Sequence, residues 1–125
     1  MSVPEPPRLG LGRAMRLQEK REFEQIRAQG RRVSKGCLIA NWMKLPDGSL
    51  SRLGVITSRK LGKAPIRTRA RRLLRESFRL HQHDLSEPVA VVLVARASIV
   101  GRKLADVERD YLSFLRQASL LKATG

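Results

Sequence analysis

The chain has 125 residues, 42% of them apolar, enough for one packed core and too few for two. Its 26 Lys and Arg against 11 Asp and Glu give a formal charge of +15, which in so small a body spreads a positive potential over much of the surface and calls for a polyanionic partner. Cys37 is the only cysteine; this excludes an internal disulfide and a Cys-cluster zinc site, fits a reducing cytosol, and predicts a buried, inert thiol.

Residues 1–12 are rich in Pro and Gly without any period and read as a flexible arm, ahead of a single domain over 13–122. They lack the apolar core of a signal peptide, and no later stretch reaches the roughly 18 consecutive apolar residues of a membrane span, so a cytoplasmic protein is expected. Residues 16–29 suit a helix with Leu17, Phe23, Ile26 and Arg27 near one side and Gly30 as its stop. Residues 33–45 read as a strand, and Pro46, Asp47 and Gly48 as a turn. The strand pattern resumes over 50–58, and the two runs are expected to pair antiparallel around that turn.

Pro65 is tolerated only in a first helical turn, so a helix is predicted over 64–80, with Ile66, Ala70, Leu73, Leu74, Ser77 and Phe78 on its inner face. The run Val89, Ala90, Val91, Val92, Leu93, Val94 has the continuous apolar character of a strand buried on both faces, the centre of the sheet. Residues 104–121 form an amphipathic helix with Leu104, Val107, Tyr111, Phe114, Leu115 and Ala118 inward. The order helix, strand, strand, helix, strand, helix predicts an α+β fold, a small two-layer sandwich of helices on a mostly antiparallel sheet.

The chemistry concentrates between residues 59 and 79. Arg59, Lys60, Lys63, Arg67, Arg69, Arg71, Arg72, Arg75 and Arg79 face a single acid, Glu76. Arg67, Arg71 and Arg75 recur at every fourth position and form one ridge, on which like charges repel by a few tenths of a kcal/mol per pair. A solvated helix face interleaves acids, as the first helix does with Glu19, Glu22 and Glu24; this one does not. The planar guanidinium binds phosphate in a fork and stacks on bases, so the preference for Arg over Lys points to nucleic acid. The helix N-terminus beside Lys60 and Lys63 adds unpaired N–H groups that attract phosphate.

The run from Ser58 to Glu76, SRKLGKAPIRTRARRLLRE, resembles the signature of the bacterial ribonuclease P protein, which is built on an Arg-Asn-Arg core followed by further basic residues and an Arg-Glu or Arg-Gln pair. Thr68 stands where that signature has Asn. The likeness extends over residues 16–120. It implies a left-handed βαβ crossover around the Arg-rich helix, although such connections are right-handed in about 98% of folds. It also implies a protein that does not cut RNA itself: a large catalytic RNA with bound Mg2+ removes the 5′ leader of precursor tRNA, and the protein binds both. By resemblance, Arg59, Lys60, Lys63, Arg67, Thr68, Arg69, Arg71, Arg72 and Arg75 face the RNA subunit. The leader is then expected between the first helix and the sheet, on Phe23, Arg27, Ser34, Lys35 and Leu38. Relatives commonly carry aromatics where this chain has Arg27 and Asn41, which shifts leader binding toward charge and guanidinium stacking. The partners implied are ribonuclease P RNA and precursor tRNA, with no membrane and no obligate protein partner.

His81 and His83 read as a solvated helix end. Asp106, Glu108 and Asp110 scatter around a helix beside Arg102, Lys103 and Arg109, so no protein metal site is expected. No nucleophile with a partnered base and no Walker-type loop is visible, so no catalytic residue is assigned to the chain. The competing reading is a ribosomal protein or ribosome-assembly factor, which shares the charge and the α+β pattern but not the signature. A sequence-specific DNA-binding protein is disfavoured, because the basic helix lacks Asn and Gln to read adenine.

Overall fold

The apolar run near the end of the chain decides the architecture. It forms β4 (Val89–Ala95), with β2 (Leu38–Lys44) antiparallel on one side and β3 (Arg52–Ile56) parallel on the other. β1 (Arg31–Lys35) pairs antiparallel with β2, giving a four-stranded mixed sheet in the order β1-β2-β4-β3. Apart from the half-buried Val94, every β4 residue is buried, because both faces of this strand meet apolar layers. The structure, a computed structural model, describes residues 16–17 and 20–122. The arm expected over 1–12 lies outside the described residues.

Three helices complete the α+β fold: α1 (Lys20–Gln29), α2 (Ala64–His81) and α3 (Leu104–Gln117). α2 and α3 pack on one sheet face, where Ala70, Leu74 and Phe78 meet Val107, Tyr111 and Phe114 over Leu38, Leu53, Val91 and Leu93. α1 gives the opposite face partial cover, with Phe23 and Ile26, and Leu17 ahead of the helix, over Ala90 and Val92. β3, α2 and β4 together form a helical crossover between adjacent parallel strands. No helix among the described residues is long and apolar enough to cross a membrane.

Several sequence expectations are corrected. The strand expected over 33–45 is a hairpin, β1–β2, closed by Gly36 and Cys37, since Lys35 pairs with Leu38. Gly36 has φ +52°, as a two-residue hairpin loop with glycine first requires, and a Cβ there would lie 2.1 Å from the Asp110 carboxylate. That carboxylate accepts the Cys37 N–H at 2.9 Å. The 50–58 strand does not pair with the strand before it, because β4 lies between them. The turn at Pro46–Gly48 says where the chain reverses, while the burial demand of β4 decides which strands become neighbours.

The first helix begins at Lys20 rather than at residue 16: Leu17 N–H bonds the Leu53 carbonyl at 2.8 Å and extends the β3 edge instead. The last helix ends at Gln117 rather than at residue 121. Ser119, at φ 58°, takes the left-handed position usually held by glycine. The bonds Leu120 N–H to Leu115 O (2.8 Å) and Ser119 N–H to Arg116 O (3.1 Å) complete a Schellman closure. Ile66, expected inside, is 38% exposed, because the core contact of α2 starts one turn later at Ala70.

Candidate nucleic-acid interface

The basic segment opens with a 3-10 turn, Arg59–Leu61, where Ser58 Oγ accepts the Lys60 N–H at 3.0 Å. Gly62 has φ +142°, and a Cβ there would press on Ile66 Cδ1 at 2.9 Å, so the chain enters α2 through a position only glycine fills without strain. Lys63 is the N-cap but its side chain makes no capping bond, and the first turn holds Pro65 and no acid. Lys60, Lys63 and Arg67 thus sit at the positive end of the helix dipole, like charge against like. The arrangement is unfavourable alone and favourable around an anion.

The ridge is held from below. Arg71 Nη1 donates to Thr57 Oγ1 at 2.8 Å, and its Nη2 donates to Thr68 Oγ1 at 3.2 Å. Thr68 therefore orients a neighbouring guanidinium from the position where the signature has Asn. Arg67 Nε is buried without an acceptor among the described residues. Burial, followed by the charges of Arg16 and Arg71, holds the Arg75 pKa below the ordinary arginine value. Arg16 brings a further cation to this cluster from the strand-like segment beside β3.

Ion pairs among the described residues engage other cations: Arg52–Glu22 at 2.7 Å, Lys44–Glu87 at 3.2 Å, Lys20–Glu24 and Arg109–Asp106 at 3.8 Å, His81 with Asp84 and Glu108, and, toward the end of α2, Arg79 with Glu76. Arg59, Lys60, Lys63, Arg67, Arg69, Arg71, Arg72 and Arg75 have no carboxylate partner among those residues. Arg59, Lys60, Lys63, Arg69 and Arg72 are exposed, whereas Arg67, Thr68, Arg71 and Arg75 are half-buried.

The α1 face divides the leader candidates. A Cβ on Gly54 would fall 2.4 Å from the Phe23 ring, so that glycine makes room for the ring, and Phe23 is half-buried on it. Arg27 follows one turn later and is exposed. The register aligns Ser34, Ile39, Val94 and Ile56 in one row across all four strands on this face. Ser34 is exposed and the other three are half-buried, forming an open apolar floor. Leu38 and Lys35 pair one position away and therefore face the opposite side. Leu38 is completely buried in the α2–α3 core, which removes it from any leader surface. Ile39, Val94 and Ile56 were missed from sequence; the signal was the strand parity, readable only once the hairpin is placed at Gly36. The floor ends at Ile56, and the next residue, Thr57, carries Arg71. The chain thus passes from this row directly into the residue that anchors the arginine ridge.

The remaining polar candidates serve the fold. His81 is not simply solvated: its Nδ1 lies 2.8 Å from Asp84 Oδ2 and its Nε2 3.2 Å from Glu108 Oε1. Asp106 accepts the Lys103 N–H at 3.1 Å, and Asp110 holds the β1–β2 turn. Among the described residues no group of three or more His, Cys, Asp or Glu side chains is placed to hold a metal.

Comparison with known proteins bears on the family and the fold. The family profile Ribonuclease P matches residues 11–119. The Ribonuclease P protein component of Symbiobacterium thermophilum is 31% identical over 113 residues, spanning 90% of this chain and 98% of that protein. That of Desulfosudis oleivorans is 34% identical over 104 residues, 83% and 85% of the two chains. Among solved structures, the Staphylococcus aureus RNase P protein superposes with a TM-score of 0.78 at 22% identity, covering 88% of this chain and 100% of that one. The Thermotoga maritima RNase P protein gives 0.72 at 26% identity, covering 82% and 96%. The family match over most of the length and the shared α+β fold lead to one conclusion: this chain belongs to the ribonuclease P protein family.

Proposed function

We propose that the chain is the protein subunit of a ribonuclease P holoenzyme, working in the cytoplasm on tRNA 5′ maturation without an obligate protein partner. It binds the catalytic RNA along α2, through Arg59, Lys60, Lys63, Arg67, Thr68, Arg69, Arg71, Arg72 and Arg75. The 5′ leader of precursor tRNA lies across the α1 face, on Phe23, Arg27, Ser34 and the floor of Ile39, Val94 and Ile56. Endonucleolytic removal of the leader belongs to the RNA, with Mg2+ held by RNA and substrate. Asp106, Glu108 and Asp110 fit that division, because each is already engaged by a protein cation, a histidine or a backbone N–H.

The observation that carries the proposal is the ridge of α2 cations without a carboxylate partner among the described residues, beside a separate half-buried apolar row of Ile39, Val94 and Ile56 on the α1 face. Phosphates supply the missing counter-charge, and unpaired bases suit an apolar floor that reads no sequence. Replacing Arg67, Arg69 and Arg72 together with Ala tests it. Binding to ribonuclease P RNA weakens, and each lost phosphate contact takes roughly 0.7–0.9 from the slope of log affinity against log salt. An unchanged slope would place the ridge away from the RNA.

A further inference from the structure

Beside the arginine ridge is a small notch that phosphate binding does not explain. It has a volume of about 200 Å³ and is lined by Ile66, Arg69, Ala70, Ile99, Val100 and Gly101, between the N-terminal half of α2 and the turn after β4. Its floor is fixed: Ile99 is 1% exposed and Ala70 4%. Its walls are open: Ile66 is 38% exposed and Val100 47%, and the remaining large exposed apolar side chain among the described residues is Leu50. Gly101, at φ +82°, leaves the mouth clear, since a Cβ there would meet nothing within 4 Å. The turn is braced by Arg102, whose backbone N–H bonds Ile99 O at 3.0 Å and whose Nε bonds Ser98 O at 3.2 Å.

Two exposed aliphatic side chains lining one notch on a chain of charge +15, with Arg69, which has no carboxylate partner among the described residues, at the rim, suit an occupant that is apolar and attached to an anion. The volume is below the roughly 300–1,000 Å³ of pockets that enclose whole small ligands. The apolar walls are also far smaller than the ~800 Å² per partner of a stable protein interface. An unstacked nucleotide has the required form, and RNA is recognised largely through bases splayed out of its helices.

Resting on the reading of α2 as the RNA-binding helix, we propose that this notch takes one unstacked base of the bound RNA between Ile66 and Val100, with Arg69 on its phosphate. Base burial releases no counterions, so the apolar walls of the notch contribute to affinity without contributing to salt dependence, while Arg69 contributes to both. That separates the walls from the ridge.

The test uses the full chain and ribonuclease P RNA, with dissociation constants measured across a salt series for wild type, Ile66→Ser/Val100→Ser, Ile66→Val/Val100→Ile and Arg69→Ala. The serine pair binds about 5- to 20-fold more weakly at every salt concentration, on a line parallel to wild type, as expected for losing two aliphatic contacts that the base would bury. The conservative pair stays within about twofold of wild type, showing that apolar walls rather than particular side chains matter. Arg69→Ala lowers the slope. Because Ile66 and Val100 are exposed, unfolding midpoints should agree across the set, so weaker binding reports the interface. A serine pair with wild-type affinity, or one that changes the slope, overturns the notch while leaving the ridge intact; a wild-type chain that does not bind this RNA overturns both readings.

Discussion

Arg71 donates to the Thr57 hydroxyl at 2.8 Å, fastening the middle of the basic helix to the residue that follows β3. A guanidinium held in one rotamer loses less entropy on meeting a phosphate than a free one does. Thr57→Val keeps the side-chain shape and removes the acceptor, so affinity for ribonuclease P RNA should fall roughly 2- to 10-fold, the equivalent of one hydrogen bond. The charge is retained, so the salt slope should not move. Equal affinity of wild type and variant in a filter-binding assay would show that Arg71 needs no brace.

Phe23 and Gly54 form the second dependent pair. A Cβ on Gly54 would lie 2.4 Å from the Phe23 ring, so Gly54→Val should displace α1 and cost about 1–3 kcal/mol, visible as a lower thermal midpoint. Phe23→Ala should instead weaken binding of leader-bearing precursor tRNA by about 1–3 kcal/mol, the worth of one stacked base, and leave mature tRNA unaffected. Equal losses for both RNAs would assign Phe23 to the core alone.

Cys37 gives a prediction with a pH sign. Burial first, then the hydrogen bond and charge of Asp110, push its thiol up to about 12. The folded state therefore favours the protonated thiol. Its contribution to stability is present below the unfolded value of about 8.5 and is lost as the pH rises toward 12. At pH 8.5 iodoacetamide should leave Cys37 unmodified in the folded protein and label it readily in denaturant, as mass spectrometry would report. Comparable rates in both states would refute the buried thiol.

How much was legible from sequence differs by element. α2 was readable because Pro65 marks its first turn and Ala70, Leu74, Ser77 and Phe78 keep a helical period over a buried stripe. β4 was readable from its unbroken apolar run. Strand neighbours were not, because Pro46–Gly48 encodes a turn and nothing in it encodes that β4 will separate β2 from β3. The resemblance implied Leu38 on the leader face, whereas the parity of β2, fixed by the turn at Gly36, turns it into the core. The arginine ridge showed itself through charge alone. Its brace at Thr57, its companion Arg16 and the floor of Ile39, Val94 and Ile56 come from segments distant in the chain, and only the pairing register brings them together.

The most direct test of the central claim is reconstitution of precursor tRNA cleavage by a bacterial ribonuclease P RNA at low magnesium, with and without the purified chain. The protein's cations replace part of the counter-charge that magnesium otherwise supplies, so cleavage at the mature 5′ end should appear at magnesium concentrations where the RNA alone is inactive. The Arg67, Arg69 and Arg72 triple variant should need more magnesium to reach the same rate. A cognate RNA whose cleavage is indifferent to the chain at every magnesium concentration would contradict the account.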